Sequence, residues 1–336
     1  MKVGNQTIVF KNKPKIIGSY SVAGEKEGYG NFKEYFDYVL KDDKFGEKTF
    51  EKAERKIIEH TIFKAIDSAN LTVADIDLLV SGDLLNQIIS SSFTARHFDS
   101  TFIGLYGACS TMAESLAIGA CMVDAKHFIN VACATGSHFS TVERQYRYPL
   151  ELGNQRPPVS QWTVTGAGCS ILSLKGKSNI RISSATFGKV TDYGIKDVNN
   201  MGAAMAPAAM RTIITHFEDT KSKPEDFDLI LTGDLGKLGS EIFLDLMEHH
   251  GYKLGNNYND CGQMIYNNNQ KTFQGGSGAG CSAVVLNSYI FKKLQEGTFK
   301  KVLFAATGAL LSPISSQQGE SIPGICHAIV LERSDD

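Results

Sequence analysis

The stretch DIDLLVSGDLL, residues 75–85, recurs later in the chain as DFDLILTGDLG, residues 226–236. Both copies start with Asp-x-Asp, continue with a run of mostly apolar residues and then reach Gly-Asp-Leu. A short apolar run bounded by acidic residues and glycine is typical of a buried β-strand that ends in a turn. Repetition of this unit predicts a chain built from two similar halves.

A second pair of landmarks supports the repeat. Ala-Cys-Ser at 108–110 and Gly-Cys-Ser at 280–282 each precede an apolar run with a Thr-Gly pair. Apolar strands alternate with amphipathic helices such as the one predicted over residues 50–71, which favours a mainly parallel α/β sheet. The second copy is longer, mostly by the Asn-rich stretch 254–270, which we interpret as an inserted loop.

The repeat also suggests where the halves meet. The stretches 163–176 and 179–190 read as two consecutive strands that complete the first half. We therefore place the boundary near residue 185. Residues 1–185 form an N-terminal half with Cys109, and residues 186–336 form a C-terminal half with the inserted loop.

Composition excludes several classes of protein. The chain has 336 residues, 42% hydrophobic and 21% charged, with a formal net charge of −2, so it is expected to be globular, without the basic excess of a nucleic-acid binder. Seven cysteines without a CxxC pair argue against a disulfide framework or a zinc ribbon. The start lacks the pattern of a secretory signal, and we expect no transmembrane helix, since Glu114 interrupts the longest nearly uncharged run.

One cysteine stands where a nucleophile could stand. Cys109 lies in GACSTMAESLAIGACMV, residues 107–123, on a small-residue turn that leads into a predicted helix. A helix N-terminus favours a thiolate, so Cys109 could be acidified and reactive. Free cysteine is also among the most buried residue types, so packing alone is the other interpretation. The residues leave both open.

Longer strings carry a resemblance. Two α/β halves with a Cys-Ser turn before a buried helix resemble the thiolase and ketoacyl-ACP synthase superfamily, in which the reactive cysteine has the position of Cys109. Within it, the chain resembles the stage V sporulation protein AD family along nearly its whole length. The strings that carry this resemblance are SGDLLNQ (81–87), YGACST (106–111), ERQYRYP (143–149), MGAAMAPAA (201–209), TGALLSP (307–313) and QQGESIPGICHAIVLER (317–333).

The resemblance implies a thiolase-like fold: two similar α/β halves with mainly parallel mixed sheets and buried central helices. It also implies a protein that binds dipicolinic acid, pyridine-2,6-dicarboxylate, and works with membrane proteins of a sporulation transport assembly. These move dipicolinate, as its calcium complex, into the developing spore. The expected place is peripheral, on the cytoplasmic side of the forespore or spore inner membrane. No cofactor and no resident metal are expected, and a homodimer is one arrangement the resemblance allows.

The same resemblance argues against catalysis. Condensing enzymes of this superfamily donate to the thioester oxyanion from a histidine and an asparagine. Aligned on that pattern, this chain has Gly233 and Gly276 at the two positions. We therefore predict a pseudoenzyme that keeps Cys109 without catalytic residues. The alternative is an active acyl-CoA or acyl-ACP condensing enzyme that uses Cys109.

Seven residues are the predicted ligand site. The start of the helix offers N–H and O–H donors for carboxylates, and two histidines could add more, although each could equally be a satisfied structural histidine. The set is Cys109, Ser110, Thr111, His138, Asp234, Gly276 and His327.

Other polar residues have simpler interpretations. Asp83 is expected to cap a helix, and His249 and His250 to end one without binding metal. Arg144 and Arg147 suit carboxylates, but pairing with nearby acids is their usual role.

Overall fold

A computed structural model describes residues 1–146 and 156–334. The strands are β1 Lys2–Val3, β2 Thr7–Val9, β3 Lys15–Ala23, β4 Tyr38–Val39, β5 Leu78–Gly82, β6 Thr101–Gly104, β7 Asn130–Ser137, β8 Trp162–Thr163, β9 Gly166–Ser173, β10 Ile180–Thr186, β11 Leu229–Thr232, β12 Tyr258–Asp260, β13 Gly276–Ser277, β14 Lys301–Ala309 and β15 Gly324–Arg333. The helices are α1 Glu25–Gly28, α2 Phe50–Ser68, α3 Ile89–Ala95, α4 Thr111–Asp124, α5 Phe139–Tyr146, α6 Met201–Thr220, α7 Gly236–His249, α8 Cys261–Ile265, α9 Ala279–Val285, α10 Phe291–Glu296 and α11 Pro313–Gln317.

The main sheet is built from two equivalent sets of strands. Its order is β12-β11-β14-β15-β10-β3-β9-β7-β5-β6. In the first half β9 runs against β3 and β7, while β5 and β6 run parallel to β7. In the second half β15 runs against β10 and β14, while β11 and β12 run parallel to β14. Four strands of each half thus share one direction, which confirms the predicted mainly parallel mixed sheet.

The sequence repeat coincides with this structural repeat. β5 precedes Asp83, and β11 precedes Asp234. The two strands have equivalent positions in the two halves of the sheet. Cys109 lies just before α4, and Cys281 lies in the first turn of α9. Both helices are lined with small buried residues. The two similar halves and the buried central helices are therefore as predicted.

The predicted helix over 50–71 shows why the layers form. Thr49 caps its first turn by accepting a hydrogen bond from the Lys52 amide. Buried Ile58, Ile62 and Ile66 lie on one face of α2, which packs on β3, β9 and β7. In the second half, α6 packs on α7 and on the strands β14 and β15. Helix α4 contacts strands of both halves. The central helices are therefore enclosed by sheet on both sides.

Strand β10 lies where the halves meet. It pairs with β15 at six positions from Ile180 to Thr186 and with β3 at one, Arg181 opposite Lys15. In the sheet it has the position in the second half that β3 has in the first. The division of the chain into two folding units near residue 185 stays a prediction. By its pairing with β15, strand β10 belongs to the second half of the sheet.

The Asn-rich stretch 254–270 is more ordered than an inserted loop. It contains β12, which pairs in parallel with β11, and the short helix α8. Its polar side chains replace missing backbone partners: Asn257 donates to two carbonyls of the 224–227 turn, and Asp260 caps α8 through the Gln263 amide. Side-chain hydrogen bonding thus makes a strand and a helix of a stretch whose composition is typical of a loop.

Among the helices of the described residues, none combines the length and the apolar character that a membrane span requires.

Candidate functional site

Cys109 is held on a tight turn at the start of α4. Ala108 has a left-handed backbone with a φ of 50°, which is costly for a residue with a Cβ. The turn is closed by the Ser110 amide, which donates to the Gly107 carbonyl at 3.0 Å. The Ser110 hydroxyl donates to the same carbonyl at 2.6 Å, and the Thr111 hydroxyl donates to the Ala108 carbonyl at 2.7 Å. These bonds fix the direction of the cysteine side chain.

Cys109 opens into a pocket of about 450 Å³, a volume that includes its mouth. The pocket lies at the carboxyl ends of β5 and β14, where open α/β sheets place their ligands. Both halves contribute to its walls, which are mainly apolar and aromatic. The lining residues are Leu84, Tyr106, Ala108, Cys109, Val142, Glu143, Tyr146, Thr163, Met201, Ser277, Gly278, Ala309 and Leu311.

Asp234 is fully buried behind the pocket and interacts with the Cys109 thiol. Its carboxylate accepts hydrogen bonds from the Gly278 amide at 3.0 Å, the Ser277 hydroxyl at 3.1 Å and the Thr307 hydroxyl at 2.9 Å. Gly278 has a φ of 100°, a conformation that glycine adopts without strain. Asp234 therefore ties the Cys109 turn to β14 and to the junction of β13 and α9.

This environment opposes a thiolate. Burial raises the pKa of Cys109 well above its ordinary value, and the Asp234 carboxylate raises it further. Of the two interpretations that the sequence left open for Cys109, burial and the neighbouring negative charge favour the packed, protonated thiol. Burial also raises the pKa of Asp234, to about 6, although the Gly278 amide lowers it.

The predicted histidines lie outside the pocket lining. His138 Nε2 bonds to the Asp43 carbonyl at 2.6 Å, and its Nδ1 accepts from the Ser140 amide at 3.1 Å. His327 Nδ1 accepts from the Gly188 amide at 3.3 Å. Burial lowers the pKa of both, that of His327 to about 4. Both side chains are thus hydrogen-bonded to the backbone, in agreement with the interpretation of each as a structural histidine.

Of the other predicted residues, Ser110 and Thr111 use their hydroxyls within the turn and do not line the pocket. Gly276 lies one residue before the lining, and its carbonyl accepts from Gln161 Nε2 at 2.8 Å. The structure thus brings Cys109 and Asp234 together, with Gly276 next to them.

The remaining polar residues have structural partners. Asp83 accepts from the Leu85 and Ser91 amides, in the capping role expected of it. Arg144 pairs with Glu51. Arg147 lies outside the described residues. His249 ends α7, and among the described residues no three His, Cys, Asp or Glu side chains cluster as metal ligands.

Sequence reasoning missed one wall of the pocket. Glu143 forms a buried ion pair with Arg156 at 3.3 Å, and the Arg156 guanidinium lies 5.1 Å from the centre of the Trp162 ring. On the same side the Tyr146 hydroxyl donates to the Leu84 carbonyl at 2.6 Å and lies 2.8 Å from the Tyr106 hydroxyl. The string ERQYRYP, residues 143–149, contains Glu143 and Tyr146 and was the only sequence signal for this wall. Short strings that mix aromatic and charged residues are too common to identify a pocket.

The fold is shared with proteins of known structure. The 3-oxoacyl-[acyl-carrier-protein] synthase III of Aquifex aeolicus VF5 is 13% identical, with a TM-score of 0.58 over 95% of this chain and 99% of that one. OleA of Xanthomonas campestris, in a co-crystal with bound cerulenin, is 13% identical, with a TM-score of 0.60 over 97% and 98% of the two chains. At these identities the likeness establishes the thiolase-like fold alone.

Relationship in sequence is much closer to one family. Stage V sporulation protein AD of Bacillus subtilis (strain 168) is 45% identical over 331 residues, which cover 98% of each chain. The sequence model of the family Stage V sporulation protein AD (SpoVAD) matches residues 4–332. This protein therefore belongs to the stage V sporulation protein AD family.

Proposed function

We propose that the Cys109 pocket binds dipicolinic acid for a sporulation transport assembly and performs no chemistry on it. The observation that carries the proposal is a pocket with apolar walls in which burial and Asp234 keep the Cys109 thiol protonated. Leu84, Val142 and Leu311 offer faces for a flat pyridine ring, and the Tyr106 hydroxyl lies at the same pocket for a carboxylate. Membership of the family supports a role in sporulation.

Charge decides which form of the ligand fits. Glu143 is balanced by Arg156. Asp234, with a pKa of about 6, is mostly ionised at neutral pH and repels a free dianion. A complex of one calcium ion with one dipicolinate has no net charge, so this repulsion disappears. The pocket therefore favours the calcium complex, or free dipicolinate once Asp234 is protonated.

The affinity for free dipicolinate should rise as the pH falls from about 7.5 to about 5.5, because Asp234 gains a proton in this window. We expect an increase of severalfold, measured by titration calorimetry in calcium-free buffer. Asp234→Asn should bind free dipicolinate more tightly than the wild type at pH of about 7.5 and should lose most of this pH dependence. The asparagine can still accept from Gly278 while its amide group donates to Thr307.

Titration of the calcium complex is the internal control, since its binding should change less over the same pH range. Equal pH dependence in the wild type and in Asp234→Asn would mean that Asp234 does not act on the ligand.

The alternative function is a condensing enzyme that uses Cys109. The cysteine and its strained turn are present, and these favour it. Against it, burial and Asp234 keep the thiol protonated. Gly233 and Gly276 supply no side-chain donor, and His138 and His327 lie outside the pocket lining, so a developing oxyanion would lack the donors that typically contribute ~3 kcal/mol each.

Incubation with acetyl-CoA, longer acyl-CoA donors and malonyl-ACP should therefore leave Cys109 unmodified. Intact-mass spectrometry would detect an acyl-enzyme, and a thiol-reactive alkylating agent on unfolded protein confirms that the cysteine is chemically competent. Stoichiometric acylation of Cys109 with turnover to a ketoacyl product would replace the binding function by the enzymatic one.

Transport itself we assign to membrane proteins of the assembly. The chain acts as their peripheral partner on the cytoplasmic side of the forespore or spore inner membrane, as a monomer or as a homodimer. Co-purification of the chain with these proteins from sporulating cells tests this assignment, and a chain that co-purifies with none of them would contradict it.

A further inference from the structure

A second cavity lies far from Cys109. We name it the lysine groove, and it has a volume of about 520 Å³, its opening included. It begins where α4 ends, whereas Cys109 lies where α4 begins, and a helix of 14 residues is ~21 Å long. The two cavities are thus at opposite ends of the central helix. The groove is lined by Val123, Lys126, Phe128, Ile129, Leu174 and Lys175.

Strand register brings the lysines together. β7 and β9 pair with Asn130 opposite Ser173, so the segments just before β7 and just after β9 lie side by side. β3 joins them through Lys15, which pairs with Ser173 and whose ammonium donates to the Gly176 carbonyl at 3.1 Å. Lysines from separate parts of the chain therefore gather at one end of the sheet.

Among the described residues, the carboxylates nearest this end are hydrogen-bonded to backbone amides and form no ion pairs with its lysines. Asp124 accepts from the Asn12 amide, and Asp77 accepts from the amides of residues 129 and 130. Glu332 pairs with Lys13. Among residues 1–146 and 156–334, no carboxylate forms an ion pair with Lys126, Lys175 or Lys177, and all three lysines are exposed.

The apolar part of the groove is unusual for a purely ionic site. Ile129 is 50% exposed on its rim, although Phe128 and Leu174 beside it are partly buried in the core. A large apolar side chain between lysines without ion-pair partners in the described part of the chain suits a lipid bilayer, which has anionic head groups at its surface and hydrocarbon chains beneath them.

We propose that the lysine groove docks this protein on a bilayer of anionic phospholipids. Lys126 and Lys175 bind the phosphate groups of the lipid head groups, and Ile129 enters the boundary between head groups and acyl chains. The inference does not depend on the ligand of the Cys109 pocket, so either can fail without the other.

Vesicle co-sedimentation tests the proposal. Full-length protein should bind vesicles of phosphatidylglycerol and phosphatidylcholine, should not bind vesicles of phosphatidylcholine alone, and should be released by high salt. Each basic residue near an anionic surface contributes about fivefold to partitioning, so Lys126→Glu with Lys175→Glu should lower it at least ~25-fold. Ile129→Ser should lower it at unchanged charge.

The matched control is Lys48→Glu with Lys237→Glu, two exposed lysines away from the groove, which gives the same net charge. This control should lose much less binding than the groove variant. Equal binding by the two double variants overturns the proposal, and so does a wild type that ignores anionic vesicles. Thermal unfolding, measured in parallel, should give the wild-type midpoint for both double variants and shows that they fold.

Discussion

Cys109→Trp should abolish the binding of dipicolinate and of its calcium complex. Cys109 is buried and lines the pocket, so an indole at this position would fill the space that a ligand needs. We expect affinity to fall at least ~100-fold, or below detection in titration calorimetry, which corresponds to ~3 kcal/mol or more. The effect is steric, so it should be the same at every pH.

Two other variants separate shape from chemistry. Cys109→Ala removes one weak thiol interaction and should weaken binding by no more than about tenfold, with the fold intact. Ile314→Trp adds the same indole at a side chain that is 70% exposed, and should leave affinity unchanged. If Cys109→Trp and Cys109→Ala both bind like the wild type, the ligand occupies another site.

Gly308→Ala should destabilise the protein and disturb the pocket together. A Cβ at this position would lie 2.3 Å from the Gly107 carbonyl oxygen, so the Cys109 turn and β14 would have to separate. That oxygen already accepts two hydrogen bonds from Ser110, and their geometry would change with it. Overpacking of this kind costs about 1–3 kcal/mol or more, which thermal and urea unfolding would detect.

Gly255→Ala is the matched control, because its Cβ would have only a contact of 3.7 Å with the Asn257 side chain and its backbone has no positive φ. Its stability should remain within about 0.5 kcal/mol of the wild type. A Gly308→Ala protein as stable as this control would mean that the close approach of β14 to the turn is not needed.

Much of the fold could be predicted from the sequence because each copy of the repeat is a short run of neighbouring residues. The strand before Asp83 and the strand before Asp234 are each specified by a few neighbouring residues, and these two strands have equivalent positions. The stretch 254–270 could not be read in this way. Its order comes from side chains such as Asn257, whose hydrogen-bond partners lie about thirty residues away.

The site was predictable in part for the same reason. Cys109 and Asp234 follow landmarks that the repeat defines, and the structure brings them together. His138 and His327 are also near strand ends, but their ring nitrogens bond to backbone groups of the distant residues Asp43 and Gly188, and such partners leave no local signal in the sequence. Arg156 pairs with Glu143, which lies thirteen residues earlier in the chain, and pairing at that separation has no local signal.

Cys109 comes from one half of the chain, and Asp234, Ser277 and Gly278 come from the other. A ligand held between them contacts both halves, so its binding energy adds to the cohesion of the two halves. By mass action, an occupied protein resists separation of its halves by RT ln(1 + [L]/Kd), or ~2.7 kcal/mol at a hundredfold excess over Kd. If the pocket binds the proposed ligand, the free energy of unfolding would rise as the ligand concentration around the protein increases.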